Sequence, residues 1–336
     1  MAGIDVTFQT LPKVELHLHL DCSLSHAAAA RLAPGLTPEA YEREFVAPAK
    51  CKDLADYLTR AVAGVRLLQS REALALAVAD VFSQLQQDGV IYAEIRFAPL
   101  LHTEQGLTPE AVVAAVDRAT EQAIRATGIE ARLILCTLRH FPEAQSLQTA
   151  QLVAAFRGSR IVALDIAADE AGFSLEAHVA AYRFAAEHDL PRTAHAGEAL
   201  GAESVRETLA KLRPSRLGHG VRSIEDPALL QQLIAQHIHL EVCPSSNVQT
   251  GVCATYADHP VDRLFRAGVS LGINTDTRAI TRITLNQEYQ HLHKVFGWDL
   301  SHFRQCNLNA LDAAFLQPPL RARLRENLLT AYGGLA

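Results

Sequence analysis

The chain has 336 residues, 49% of them apolar, with 31 basic and 37 acidic side chains and a formal net charge of −6. That length holds one large domain or two ordinary ones and carries ample material for a buried core. A mildly acidic balance with no long run of either sign argues against a nucleic acid or an anionic membrane surface as the main partner, and no apolar stretch is long enough to cross a bilayer, so a soluble protein is expected.

The chain opens MAGIDVTFQTLPKVE, with no basic region followed by an apolar core, so no signal peptide is expected. Cys22, Cys51, Cys136, Cys243, Cys253 and Cys306 are scattered and form no CxxC pair. Free thiols in a reducing cytoplasm are the expectation for a chain of this length.

Eight short runs rich in Val, Ile and Leu follow one another, at 14–20, 91–99, 132–140, 161–169, 190–198, 215–221, 238–247 and 269–277. Each reads as a strand buried on both faces. Helical patterns lie between them. The run 108–127 opens Thr-Pro-Glu, 174–188 opens with Ser, and 226–236 begins Asp-Pro, all good helix starts. Strands alternating with helices imply parallel units, and eight of them imply an α/β fold of the closed (β/α)8 TIM-barrel type. The apolar runs finish in HLHLD, RFAP, LRH, IAADE, HAGE, GHG, CPSSN and NTDT. A barrel of this kind builds its active site at the C-terminal strand ends, where these polar residues fall. Two segments exceed the barrel: a mostly helical stretch 25–88, expected to cross or lid the mouth after strand one, and a helical tail 285–336. No linker interrupts the chain, so 1–336 is expected to form a single domain.

His17 and His19 are two apart on the first strand, so their side chains share a face with Asp21. Two neutral imidazoles beside a carboxylate suit a divalent cation, although HxH alone also fits a hydrogen-bonded pair of histidines. His195, at the end of strand five, offers a third imidazole. Asp276, at the end of strand eight, offers an anionic oxygen from the strand that closes against strand one. Glu198 lies three residues past His195, close enough to move protons without being a ligand. His219 sits between two glycines that let the backbone approach closely, which equally fits a tight turn. No lysine occurs between Lys52 and Lys211. The carbamylated lysine that bridges two metals in some barrel hydrolases is therefore impossible on strand four, and one metal is expected unless Asp165 or Asp169 substitutes.

With PKVELHLHLD at 12–21, HAGE at 195–198, LGHG at 217–220, CPSSNVQTG at 243–251 and SLGINTD at 270–276, the chain resembles the adenosine deaminase family of metal-dependent hydrolases over most of its length. The resemblance implies one zinc ion per chain held by His17, His19, His195 and Asp276. It implies Glu198 as the proton shuttle to a ring nitrogen, His219 as the group that orients the attacking hydroxide, and Asp21 as a sugar-hydroxyl contact. A bound zinc lowers the pKa of water from 15.7 towards about 7, and Glu198 then serves as general acid and base. The expected ligand is a small aminopurine or related heterocycle. The other zinc deaminase design, with HxE and PCxxC, is absent.

Four departures concern the purine rather than the metal. Thr277 stands where the family's second carboxylate of NTDDP contacts the imidazole side of the ring, and Arg278 replaces the proline. Ala168 stands where a glycine backbone reaches the purine, and Cys22 replaces another glycine. These changes suggest a substrate differing from adenosine around the five-membered ring, or one whose acidic group meets Arg278, unless Arg278 is a solvated loop residue. Two further readings stay open: hydrolysis of an amide or ester by the same site, and a non-catalytic binding protein on an inherited barrel. Oligomeric state is not legible.

Overall fold

The computed structural model describes residues 8–333. Residues 1–7 of the stretch read for a leader, and the last three of the expected tail, lie outside the described residues. Eight strands alternate with helices: β1 (Lys13–His19), β2 (Val90–Phe97), β3 (Glu130–Leu138), β4 (Ile161–Ala167), β5 (Thr193–Ala196), β6 (Arg216–His219), β7 (His239–Val242) and β8 (Leu271–Ile273). They pair in parallel and in chain order, as β1-β2-β3-β4 and β5-β6-β7-β8. Isolated parallel bridges, Leu164 with Arg192 and Leu18 with Asp276, join the two halves. At the β1–β8 seam the His19 amide donates to the Asp276 carbonyl at 2.8 Å and the Asp276 amide to the His17 carbonyl at 3.0 Å. The ring is the (β/α)8 barrel expected from the sequence.

Leucines and isoleucines on the strands make this closure favourable. Leu18, Ile95, Leu133, Leu164, Leu217, Leu240 and Leu271 pack in one apolar cluster with Val78, Phe82, Val112, Val116 and Leu233 of the surrounding helices. Each such side chain contributes about 1.5–3 kcal/mol when fully buried. Two helices start where the sequence placed caps: the Thr108 hydroxyl accepts from the Ala111 amide, and the Asp226 carboxylate from those of Ala228 and Leu229. The third, expected to open at Ser174, begins instead as a single 3-10 turn, Glu176–His178, and is α-helical only over Val179–Glu187.

The strands also bury a charged network. Arg96 contacts Asp165 at 2.7 Å and Glu241 at 2.5 Å, while Arg216 contacts Glu94 at 2.5 Å and Glu241 at 2.9 Å. All five side chains are essentially inaccessible. Such pairs add little net stability, but each holds its partners in one place because a lost partner leaves a buried charge.

The stretch after β1 is helical, as expected, with helices His26–Leu32, Pro38–Phe45, Leu54–Leu58 and Ala61–Leu67 before the barrel helix Arg71–Gln87. It lies over the strand exits: the Cys51 amide donates to the Gln249 carbonyl at 2.8 Å and the Ala47 amide to the Ile280 carbonyl at 2.9 Å. The tail is helical too, in Leu285–Phe296, Leu300–Ala313 and Pro318–Gly333. Among the described residues, no helix is long and apolar enough to cross a membrane.

Arg278 departs from both sequence readings. It is neither a solvated loop residue nor a cation at the mouth: it is 4% exposed, with its guanidinium 2.7 Å from both Glu15 and Asp88. Asp88 also accepts the Leu285 and Asn286 amides, at 2.8 and 3.1 Å. Arg278 thus ties β1 to the start of the C-terminal helices. The sequence could not show this, because both carboxylates lie far away along the chain. Substituting Arg278 with Ala is expected to destabilise the chain by about 3–5 kcal/mol, since two buried carboxylates lose their counter-charge. Denaturant unfolding checks it, and a change below 1 kcal/mol contradicts the pairing.

Candidate metal centre and active site

The strands end in residues with left-handed backbone, and the chemistry sits on them. Gly197 (φ 69°), His219 (φ 59°), Gly220 (φ 68°) and Asp276 (φ 65°) all turn the chain sharply out of the sheet. For a residue with a Cβ this conformation costs roughly 1–2 kcal/mol, so surrounding contacts must hold it. At Asp276 they are visible. The two seam hydrogen bonds fix its backbone, and the Ser246 hydroxyl donates to its Oδ2 at 2.7 Å.

His17, His19, His195 and Asp276 converge, each offering one ligand atom within 4.8 Å of the others. His17 Nε2 lies 3.2 Å and His19 Nε2 3.4 Å from Asp276 Oδ1, and His19 Nε2 is 3.2 Å from His195 Nε2. The outward nitrogens are already committed. His17 Nδ1 donates to Glu241 at 2.9 Å, and His195 Nδ1 lies 3.2 Å from Asp165. With its proton on Nδ1, His17 presents a lone pair at Nε2, and that buried atom has no hydrogen-bond partner. Lone pairs pointed at one another and at a carboxylate repel unless a cation lies between them. This donor set therefore fits a divalent ion, with Glu241 and Asp165 orienting the imidazoles from behind.

A second grouping, His17, His219, Cys243 and Asp276, shares two of these residues. It fits less well. Burial pushes the Cys243 thiol well above its usual range, whereas a metal takes the thiolate. His219 Nδ1 is also occupied, accepting from the Asn247 side chain at 3.0 Å. Asp165 is turned into the network behind His195, and Asp169 accepts amides of its own loop, from Ala171 and Gly172. Neither offers a second metal position.

The Asn247 contact leaves the His219 proton on Nε2, which lies 3.5 Å from Glu198 Oε2. Burial holds this imidazole well below its usual pKa, so it is neutral. Glu198 is 5% exposed. Burial first, and then the charges of Asp276 and Glu170, push its carboxyl well above the usual range, towards the protonated form.

Gly218 lies in register between His195 on β5 and Glu241 on β7. A Cβ there would stand 2.9 Å from His17 Cε1 and 3.2 Å from the His195 ring. Gly218→Ala is expected to displace both imidazoles and weaken metal affinity by about 10–100-fold, the range seen when ligand orientation is disturbed. Titration of metal-free protein checks it, and unchanged affinity contradicts it.

Of the residues read as purine contacts, Asp21 is 5% exposed; its Oδ2 lies 3.3 Å from the Ala98 amide and 3.5 Å from His102 Nε2. Ala168 keeps the backbone a glycine would adopt, at φ 78°. Thr277 is buried and its hydroxyl bonds Tyr57, while Tyr57 bonds Thr281 at 2.6 Å. Cys22 packs against the small apolar cluster of Ala47, Cys51, Leu54, Tyr57 and Ile280. Sequence reasoning gave no role to Tyr57, Glu241, Ser246, Asn247 or Glu170. Ser246 and Asn247 lie inside the CPSSN motif, which was the available signal; nothing local marked Tyr57.

A cavity of about 600 Å³ opens beside Glu198 and Thr250, with Lys52, Leu54 and Arg222 on its walls. A larger one of about 940 Å³ lies at the strand starts, near Arg132, Ile161 and Phe315, and is lined by none of the metal-cluster residues, Glu198 or His219. The smaller cavity is the one that meets the chemistry.

The C-terminal strand ends of the barrel thus gather three imidazoles and a carboxylate that could hold a metal ion, with a buried carboxyl beside them, as in a hydrolase active site. The family model described as "Adenosine deaminase" matches residues 12–331. An adenosine deaminase of Haemophilus ducreyi is 38% identical over 331 residues, covering 95% of this chain and 96% of that protein. One from Enterococcus faecalis is 35% identical, covering 96% and 97%. The crystal structure of an adenine deaminase from Arthrobacter aurescens superposes with a TM-score of 0.88 at 27% identity, covering 95% of this chain and 98% of that one. The chain belongs to the adenosine deaminase family and is an aminohydrolase that deaminates purine nucleosides.

Proposed function

We propose that the chain is a zinc-dependent adenosine deaminase in which His17, His19, His195 and Asp276 hold one ion per chain. The observation that carries this is the unpartnered, buried His17 Nε2 facing Asp276 Oδ1 at 3.2 Å, with two more imidazoles at the same point. Three nitrogens and one carboxylate oxygen suit zinc. Lewis-acid activation of a water is what a bound zinc supplies there.

The chain's own groups do the rest. The purine carbon bearing the amine resists addition until the adjacent ring nitrogen is protonated. Glu198 donates that proton and recovers one from the attacking water. His219 directs its Nε2–H at the incoming oxygen and stabilises the charge that develops on it. The recovered proton passes to the amine, the carbon–nitrogen bond breaks and ammonia leaves; the proton of the added hydroxyl returns to Glu198, which leaves an oxo-purine and restores the acid. Asp21 faces the ribose. The backbone at Ala168 reaches the ring, and Thr277 with Tyr57 lies on its imidazole side. The whole chain, 1–336, acts as one catalytic unit, and its six unpaired thiols suit the cytoplasm.

One observation favours a second substrate. Family members that act on adenosine carry a charged carboxylate where this chain has a hydroxyl shared among Thr277, Tyr57 and Thr281. An uncharged cluster accepts an aminated heterocycle with a different five-membered edge. Ammonia release from adenosine, adenine and aminopterins, with metal-quantified protein, separates the two. Adenosine is expected to lead in kcat/KM by about tenfold or more, a difference of roughly 1.4 kcal/mol. A lead of that size for another heterocycle overturns the choice of adenosine.

A further inference from the structure

We infer that Glu170 is a positioning residue for the proton-transferring carboxyl of Glu198, acting through the backbone of the turn that carries it. The inference rests on the role given to Glu198 above.

Glu170 lies three residues beyond β4 and is 2% exposed. Its Oε1 accepts from the Gly197 amide at 2.8 Å and the Ser204 hydroxyl at 2.5 Å. Its Oε2 accepts from the Glu198 and Leu200 amides, both at 3.0 Å. Four donors fill the lone-pair positions of one carboxylate. Three of them are amides of a single turn, so the turn cannot rotate without leaving a buried charge unsatisfied.

Arg222 holds the carbonyls of the same turn, its amide donating to Gly197 at 3.1 Å and its guanidinium to Ala199 at 2.9 Å, while Glu170 holds the amides. Gly197 is at φ 69°, and a Cβ there would meet Val205 at 2.5 Å. From the other side the Arg139 guanidinium donates to the His195 carbonyl at 3.1 Å, so the exit of β5 is gripped from both the β3 and β4 loops. Where the Glu198 side chain points follows from this backbone. Glu170 bonds Gly197, Glu198, Leu200 and Ser204 and none of His17, His19, His195 or Asp276, so its effect is separable from metal binding. Its charge also opposes ionisation of Glu198, which keeps the acid form available.

The test is Glu170→Gln, nearly isosteric but with only one acceptor oxygen for four donors. With the best substrate of the panel above, kcat is expected to fall roughly 10–100-fold, the scale of a misplacement near 1 Å. KM is expected to change by less than about threefold, because ground-state binding is untouched. Metal content is expected to match the wild type. A double-mutant cycle makes the reading specific: in a Glu198→Gln background, Glu170→Gln is expected to lower the rate no further. Wild-type kcat in the single variant, a loss accounted for by missing metal, or the same fold-loss in the Glu198→Gln background overturns the inference. If Glu170→Gln does not fold, Ser204→Ala removes one donor only: a kcat loss of about threefold at constant KM supports the inference, and unchanged kcat overturns it. Wild-type activity in Glu198→Gln itself would instead sink the functional reading.

Discussion

Glu198→Gln is expected to lower kcat by about 10²–10⁴-fold while the protein keeps its metal, the range that general acid–base catalysis contributes. The carboxyl is buried at the cavity wall and 3.5 Å from His219 Nε2. Burial, with Asp276 and Glu170 nearby, favours its acid form, which is the state that protonates a ring nitrogen. A glutamine keeps the volume and one acceptor oxygen but neither delivers a proton as an acid nor takes one from water. Binding depends on other groups, so KM is expected to change little. Ammonia release on metal-quantified protein measures it. A loss below tenfold means that some other group moves the proton.

Removal of the ion is expected to abolish turnover, by at least about 10³-fold, with recovery on adding one equivalent of zinc. Among the described residues the cations beside the site are already committed, Arg96 to Asp165 and Glu241 and Arg139 to the His195 carbonyl, so none replaces the Lewis acid. With the ion removed, the Asp276 carboxylate is expected to face an unprotonated His19 Nε2 across 3.4 Å with no cation between them, which strains the site. Stripped protein should therefore melt at lower temperature and regain stability with zinc, since an ion that binds only the folded state shifts the folding equilibrium by mass action. Full activity after exhaustive chelation contradicts the assignment.

The fold was legible from the chain because eight apolar runs alternate with capped helices, and both signals are local. The boundaries were less so. The run 238–247 reads as one strand, yet β7 stops at Val242 and Pro244 opens the helix Pro244–Gln249. The run 269–277 likewise holds only three strand residues, Leu271–Ile273. In both, the reading carried the strand on into its polar exit, CPSSN or NTDT, after the chain has left the sheet. Asn274 turns its side chain to the Leu16 amide at 2.7 Å, and Asp276 takes a left-handed backbone. Those exits are where the chemistry sits, so the overrun and the site have one cause.

The site's inner ring could be named from HxH, HAGE, GHG and NTD because each motif is short and polar in apolar surroundings. The groups behind it could not. Glu241 lies within an ordinary strand pattern, and only the register that sets it beside Gly218 brings it to His17. Arg278 misled for the same reason: its partners Glu15 and Asp88 are 263 and 190 residues away along the chain. Tyr57 reaches Thr277 from a helix whose sequence carries no special mark.

Elemental analysis of the purified wild-type chain beside His195→Ala and Asp276→Ala puts the metal assignment to its most direct test. The expected result is about one divalent ion per wild-type chain and close to none in either variant, with turnover falling in step. An active wild-type chain without stoichiometric metal, or variants that keep both ion and activity, would contradict it.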